Sequence, residues 1–462
     1  MLKIHKIRRI GEMGKNTLCL VFACTSLTLM GAEDPFANSQ TQAPSEYKGP
    51  QFALSHAYPG DLPPPPMPWR ETLKGQPISK ETASAYADVL KEMVSTDMKV
   101  LIADYPAWNA GERGWFNQPW LSSIREPIHG MFQATTTNAS LFNDPALKVN
   151  YMNDFGAVYY NPTAAVTLGR FWGSSAMKPN LITEAAQFPE GSIIVKLAFT
   201  QITAEEWPML AGSPSWQIFA NEVNSKNGNP ADKPTLFNVQ LLQMDIIVKD
   251  SVAAPKTGWV FSTLVYDNRI QGDFWQRMIP LGAMWGNDPD VNSSVEPGVR
   301  APLNETWINP ASPAYAQATL GWGGRLSGPN DQAVQAAGEY IDPATGKPGT
   351  VPVANSSCMS CHSPAEWQNQ SFLMPGHIDE KLGYVMATPG SPDWFRWFQN
   401  RPGTVPMDEG SIALDYDMMF SFKALKLWAA ANQKPVDNLR LFKRPSEMLL
   451  MKKRLAAPSE NK

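Results

Sequence analysis

Between residues 79 and 98 the apolar positions recur every three to four residues. Ala83, Tyr86, Ala87, Leu90 and Val94 fall on one face of SKETASAYADVLKEMVSTDM, which predicts an amphipathic helix. From about 150 to 285 the period drops to two. FGAVYYNPTAAVTLGRFW predicts two strands joined at Asn161–Pro162. GSIIVKLAFTQI, NVQLLQMDIIVKD and GWVFSTLVYD follow, each rich in β-branched and aromatic residues. In QMDIIVKD, Met244, Ile246 and Val248 share one face, and Asp245 and Lys249 the other. Turn signals such as SPSW, SKNGNP and YDNR separate these runs. The expectation is an antiparallel sandwich or barrel with helical insertions.

Helical periodicity returns near the end. SPDWFRWFQNRPG predicts a short helix capped by Ser391 or Asp393 and stopped before Pro402. A second helix is expected over 411–431, with Ser411 as its cap and Ile412, Tyr416, Met419, Phe420, Ala424, Leu427 and Trp428 along one stripe. Residues 33–78 show neither period, and DLPPPPMPW within them predicts an extended arm.

The first 32 residues differ from all the rest. Lys3, Lys6, Arg8, Arg9 and Lys15 precede the apolar run TLCLVFACTSLTLMGA, which ends in small residues at Gly31 and Ala32. About 16 apolar residues are short for a bilayer span and suit a secretory signal. Cleavage before Cys24 as a lipoprotein fits less well, because Phe22 is bulky for that motif and the apolar run continues past Cys24; retention as a single anchor helix is a further alternative. An exported chain is expected.

Composition adds a constraint. The chain has 462 residues, a net charge of −4, 18% charged residues and four Cys. Nothing in that balance points to nucleic acid as a partner. From Lys434 onward the tail is basic, with eight Lys and Arg against Asp437, Glu447 and Glu460. Such a tail suits a solvated end, or contact with an acidic redox partner or an anionic membrane surface. Cys19 and Cys24 fall in the signal, so the exported chain keeps only Cys358 and Cys361, too few for a disulfide framework.

Those two lie in SSCMSCHS. A structural zinc site needs four ligands, usually a second Cys pair or two His, and the five His show no paired spacing. A redox dithiol is expected between a strand and a helix, and neither VPVANSS nor SPAEWQN offers that setting. Covalent haem attachment uses C-x-x-C-H as its signature. Residues i, i+3 and i+4 share one side of a helical turn. Cys358 and Cys361 would then hold the porphyrin, with His362 as the proximal iron ligand. Chance would produce this pentapeptide about 0.0004 times in a chain of this composition.

With CMSCH at 358–362, helices after it and a terminal amphipathic helix, residues 332–433 resemble a cytochrome c-type domain. The resemblance covers under a quarter of the chain. The region before it resembles the long N-terminal part of uncharacterised exported bacterial proteins that end in one CxxCH module. The resemblance implies a small all-α C-terminal domain, hence an α+β chain overall. It divides into a signal (1–32), a proline-rich arm (33–78), a β-rich domain with helical insertions (79–330), a haem domain (331–435) and a basic tail (436–462). It also implies a distal Met from the loop before the last helix, where Met407 sits in RPGTVPMDEGS. Met374 in FLMPGH is the alternative distal ligand; His377, Met386 or an open site are further options. Arg396 or Arg401 could pair with a haem propionate, and Trp394, Phe395, Trp397 and Phe398 could wrap the haem edge.

The expected activity is one-electron transfer with one haem c and an unidentified protein partner. Two alternatives are an oxidoreductase whose β domain binds a small molecule, and a haem-based ligand sensor. Elsewhere, GWGGRLSG (321–328) reads as a plain loop, neither dinucleotide turn nor Walker loop. His129 in SIREPIHG reads as a structural His that could shuttle protons, and GERGWF with NQPW suggests an aromatic-lined groove.

Overall fold

The computed structural model describes residues 33–292, 302–331, 334–336, 340–341, 348–349, 352–368, 371, 373–379 and 383–432. The expected signal and basic tail lie outside these residues.

The centre is one antiparallel sheet. Its strands are β1 (Phe132–Asn138), β2 (Tyr151–Tyr160), β3 (Ile193–Thr200), β4 (Ser215–Ala220), β5 (Thr235–Lys249), β6 (Trp259–Tyr266), β7 (Met278–Met284) and β8 (Thr306–Ile308). They lie in the order β1-β2-β3-β5-β6-β7-β8, with β4 paired to β5. Gln240 of β5 faces Thr200 on one side and Ser215 on the other, so β4 continues the β6 side. A sandwich or barrel was expected; the sheet is instead single and open, and helices and loops cover both faces.

Alternation divides the sheet between two cores. Met244, Ile246 and Val248 of β5 join Val195, Leu197 and Phe199 of β3 against helix α1 (Lys80–Ala103). Ser79 starts α1 through a capping box with Thr82, and Ala83, Tyr86, Ala87, Leu90 and Val94 are all buried, as their spacing predicts. The opposite face presents Trp259 and Phe261 of β6 and Ile247 of β5. That core also holds Cys358, Met359, Phe420 and Trp428. The Cys358–His362 motif is therefore built onto the sheet. A separate all-α body is not seen among the described residues after 331, which carry short strands at 366–367, 376–379, 383–386 and 412–413 as well as helical turns.

Three local expectations change. Residues 33–78 form no strand, but they are no loose arm: Trp69 is buried and its Nε1 donates to Asp250 at 2.9 Å. The second strand expected after Asn161 is helix α2 (Pro162–Trp172). The Asn161 side chain accepts from Ala164 N at 2.9 Å and Pro162 occupies the first turn. A helix that buries most of its circumference lacks a polar stripe, so its period is obscured. Near the end, Ile412–Ala413 pairs with Glu366–Trp367 as a strand. Asp417 caps the last helical segment in place of Ser411, its Oδ1 accepting from Met419 N at 2.7 Å and Phe420 N at 3.0 Å. That segment begins at Met418, passes through a π turn at Phe420–Ala424 and continues as Leu425–Ala431. The Pro392–Phe395 turn forms as expected, capped by Ser391.

One buried carboxylate ties the two halves together. Asp415 accepts from Lys249 Nζ at 2.6 Å, Trp259 Nε1 at 2.7 Å and Phe188 N at 2.9 Å. Removing one partner of a buried pair strands the other's charge. Asp415→Ala should therefore cost about 3–5 kcal/mol, read as a lowered urea midpoint. A change within error would mean that these contacts do not hold the halves together.

Candidate functional site

The Cys358–His362 segment is one helical turn. Its Ser357 cap accepts from Ser360 N, and Ser360 Oγ in return accepts from Ser357 N. Cys358 N donates to Leu326 O at 2.9 Å, and Trp322 N to Ser356 O at 3.0 Å. GWGGRLSG is thus the floor of the motif. Gly323 and Gly324 take left-handed φ values of 67° and 84°, which glycine adopts without a Cβ clash. Within the same loop Arg325 is fully buried. Its guanidinium donates to the carbonyls of Trp322, Asn287, Asp288 and Val291 at 2.9–3.0 Å, so this loop is fixed from inside.

Both thiols are free. Burial, with Asp331 adding to it, pushes the Cys361 thiol up to about 12 and the Cys358 thiol well above its ordinary range. Cysteines that act by exchange need a lowered pKa, so these two are poor redox dithiols. Among the described residues no group of three or more His, Cys, Asp and Glu converges for a metal ion, and a tetrahedral zinc site has no set of ligands there.

His362 is held differently. Its Nδ1 lies 2.8 Å from the Tyr416 carbonyl. A carbonyl can only accept, so Nδ1 carries the proton and Nε2 keeps its lone pair. Burial lowers the imidazole to about 4, so it is neutral at physiological pH. An Nδ1–H held by a carbonyl, with Nε2 free, is the usual arrangement of a metal-ligating His. Phe261 of β6 packs edge-on against the ring, centroids 4.9 Å apart.

The other candidates collect nearby. Trp322, Met386, Trp394, Trp397 and Phe398 form a third apolar cluster, and Met374, Phe395 and Met407 pack against it. Ser363 Oγ reaches Trp397 O at 3.5 Å, joining that cluster to the end of the motif. Met407 N donates to Glu366 Oε2 at 2.7 Å, four residues beyond His362. Met407 and Met374 therefore both lie in the motif's surroundings, whereas His377 is exposed on its strand. Arg396 is spent on Asp408 at 2.9 Å. Arg401 Nη1 is buried without a partner among the described residues, as are the Trp322 and Trp394 indole N–H groups. Three orphaned donors around a motif with free thiols and a free imidazole nitrogen fit a haem, whose propionates accept hydrogen bonds.

A charged cluster beneath Cys358 carried no sequence motif. Lys196 Nζ lies 2.9 Å from Asp331 and 3.4 Å from Asp245. Gln243 Nε2 bridges both carboxylates, and Asp331 Oδ2 lies 3.9 Å from Cys358 Sγ. Burial favours the neutral acids. It wins at Asp245, raised to about 6, while Lys196 keeps Asp331 below its ordinary range. The available signal was Lys196 interrupting the apolar run of β3 and Asp245 interrupting the apolar second half of β5.

Comparison with protein-family models, curated proteins and solved structures yields no match, and no helix among the described residues is long and apolar enough to cross a membrane.

Glu366 gives a pH test of the Met407 loop. The side chain is fully enclosed, and burial raises it to about 8 from 4.5. The folded state then holds a proton that the unfolded state has lost, so stability falls as pH rises through that window. Between about pH 5 and about pH 8, Glu366→Gln should flatten the decline, measured as urea midpoints. Parallel slopes for the two chains would contradict this.

Proposed function

We propose that the chain is an exported monohaem c-type cytochrome that transfers single electrons. The observation carrying this reading is His362: its Nδ1–H is fixed by the Tyr416 carbonyl, its Nε2 is free, and it directly follows two unpaired thiols on one turn. Each sulfur would add with its proton across one porphyrin vinyl group, which consumes both thiols and requires no oxidant. Bound there, the haem supplies one-electron oxidation and reduction at its iron.

The chain's own residues do the rest. Cys358 and Cys361 tether, and His362 ligates from one side. Met407 is the favoured distal ligand, because Glu366 fixes its loop to the segment leaving the motif, with Met374 the alternative. Arg401, Trp322 and Trp394 offer donors to the propionates. The aromatic cluster and the sheet face exclude water. The signal-like start supports export, and a protein redox partner would take or give the electron. A small-molecule substrate on the β-rich part, which would make the chain an oxidoreductase, or an open distal site, which would make it a ligand sensor, are the alternative readings.

Expression with a cytochrome c maturation system tests this. The purified protein should be red, with a low-spin spectrum that added CO or cyanide does not change. Cys358→Ser and Cys361→Ser should each cut covalent haem by at least about tenfold. Met407→Ala should abolish the thioether–iron absorption, and Met374→Ala should keep it. The reverse pattern would move the distal ligand to Met374, and a spectrum that responds to CO would favour the sensor. Colourless protein from all chains would refute the proposal.

A further inference from the structure

A second site lies away from the haem motif, where NQPW meets SIREPIHG. Asn117, Gln118, Arg125 and Gly130 from these stretches line a small recess with Phe132 and Met419. Asn117 is committed to Ser55 N and Val158 O. Gln118 receives Trp172 Nε1 at 2.7 Å and donates to Tyr160. Arg125 is not satisfied. It is 6% exposed, its Nη2 donates to Gln118 O at 3.1 Å, and its Nη1 has no partner among the described residues.

No carboxylate among the described residues pairs with it. The adjacent Glu126 turns into its own loop and accepts from Ile128 N, His129 N and Met131 N at 2.6–3.1 Å. Asp417 is taken by Tyr160 and by the helix it caps. The other titratable groups beside Arg125 are the phenols Tyr58, Tyr159 and Tyr160 and the imidazole of His56, which burial keeps neutral. Although burial lowers it to about 10, the guanidinium is still charged at neutral pH. A buried charge without a counter-charge is costly enough that proteins pair it or bind an ion there.

We propose that this recess binds a small monovalent anion, of halide size, against the Arg125 guanidinium. The recess suits a water-sized occupant, too small for a drug-like ligand. Met419 closes it from the segment that also holds His362, so the anion would tie the loop over 117–130 to that segment.

The test uses the full chain with its haem. Thermal unfolding is followed as bromide or chloride replaces sulfate at constant ionic strength. The midpoint should rise and saturate for the wild type, and the response of Arg125→Gln should be weakened at least about tenfold. No saturable response, or an equal one in the variant, would overturn the proposal. Should the variant fail to fold, crystals of the wild type grown with bromide decide. An anomalous peak beside the Arg125 guanidinium supports the site; a water or a carboxylate of the chain itself in that place overturns it.

Discussion

The seating of the Cys358–His362 turn on the sheet depends on three consecutive residues, Asp415, Tyr416 and Asp417. Asp415 takes Lys249 and Trp259 from the sheet. The Tyr416 carbonyl takes the His362 Nδ1–H. Asp417 accepts from Tyr160 and caps the final helical segment. Asp415 and Tyr416 both have left-handed φ, 46° and 67°, a cost that persists only where surrounding contacts enforce it. The strain places one carbonyl against the imidazole between two carboxylates facing the sheet. The π turn that follows lets Phe420 pack on Phe171, with centroids 4.5 Å apart, and such turns often accompany functional sites.

The same arrangement explains why the motif is buried without a helical bundle around it. The sheet supplies Phe261 and Trp259, the GWGGRLSG loop supplies the backbone partner for Cys358, and the 394–398 aromatics cover the far side. The Lys196–Asp245–Asp331 cluster puts two carboxylates and one ammonium under Cys358. In a site this dry, such charges act more strongly than at a surface.

Much of this was written plainly in the sequence. Alternation located β3, β5 and β6, and the face assignment in QMDIIVKD holds residue by residue. The α1 stripe and the Ser391 cap were equally readable, because each is a local pattern. The failures share a cause. Helix α2 is apolar on nearly every side, so its Asn161 cap and Pro162 were the only signals against a strand. Asp417 displaced Ser411 as a cap because Ile412 and Ala413 pair with residues more than 40 positions earlier, which no window reveals. Cys358, Cys361 and His362 stand out as candidates from spacing alone, whereas the positions of Tyr416, Asp331 and Arg125 beside their partners depend on contacts distant in sequence.

The central claim is that a porphyrin is bonded to the two sulfurs at 358 and 361. Mass spectrometry of the proteolytic peptide spanning those residues, from protein matured where haem attachment is possible, tests it most directly. The account predicts that this peptide carries one haem and that neither thiol can be alkylated. An unmodified peptide with two alkylatable thiols would contradict it.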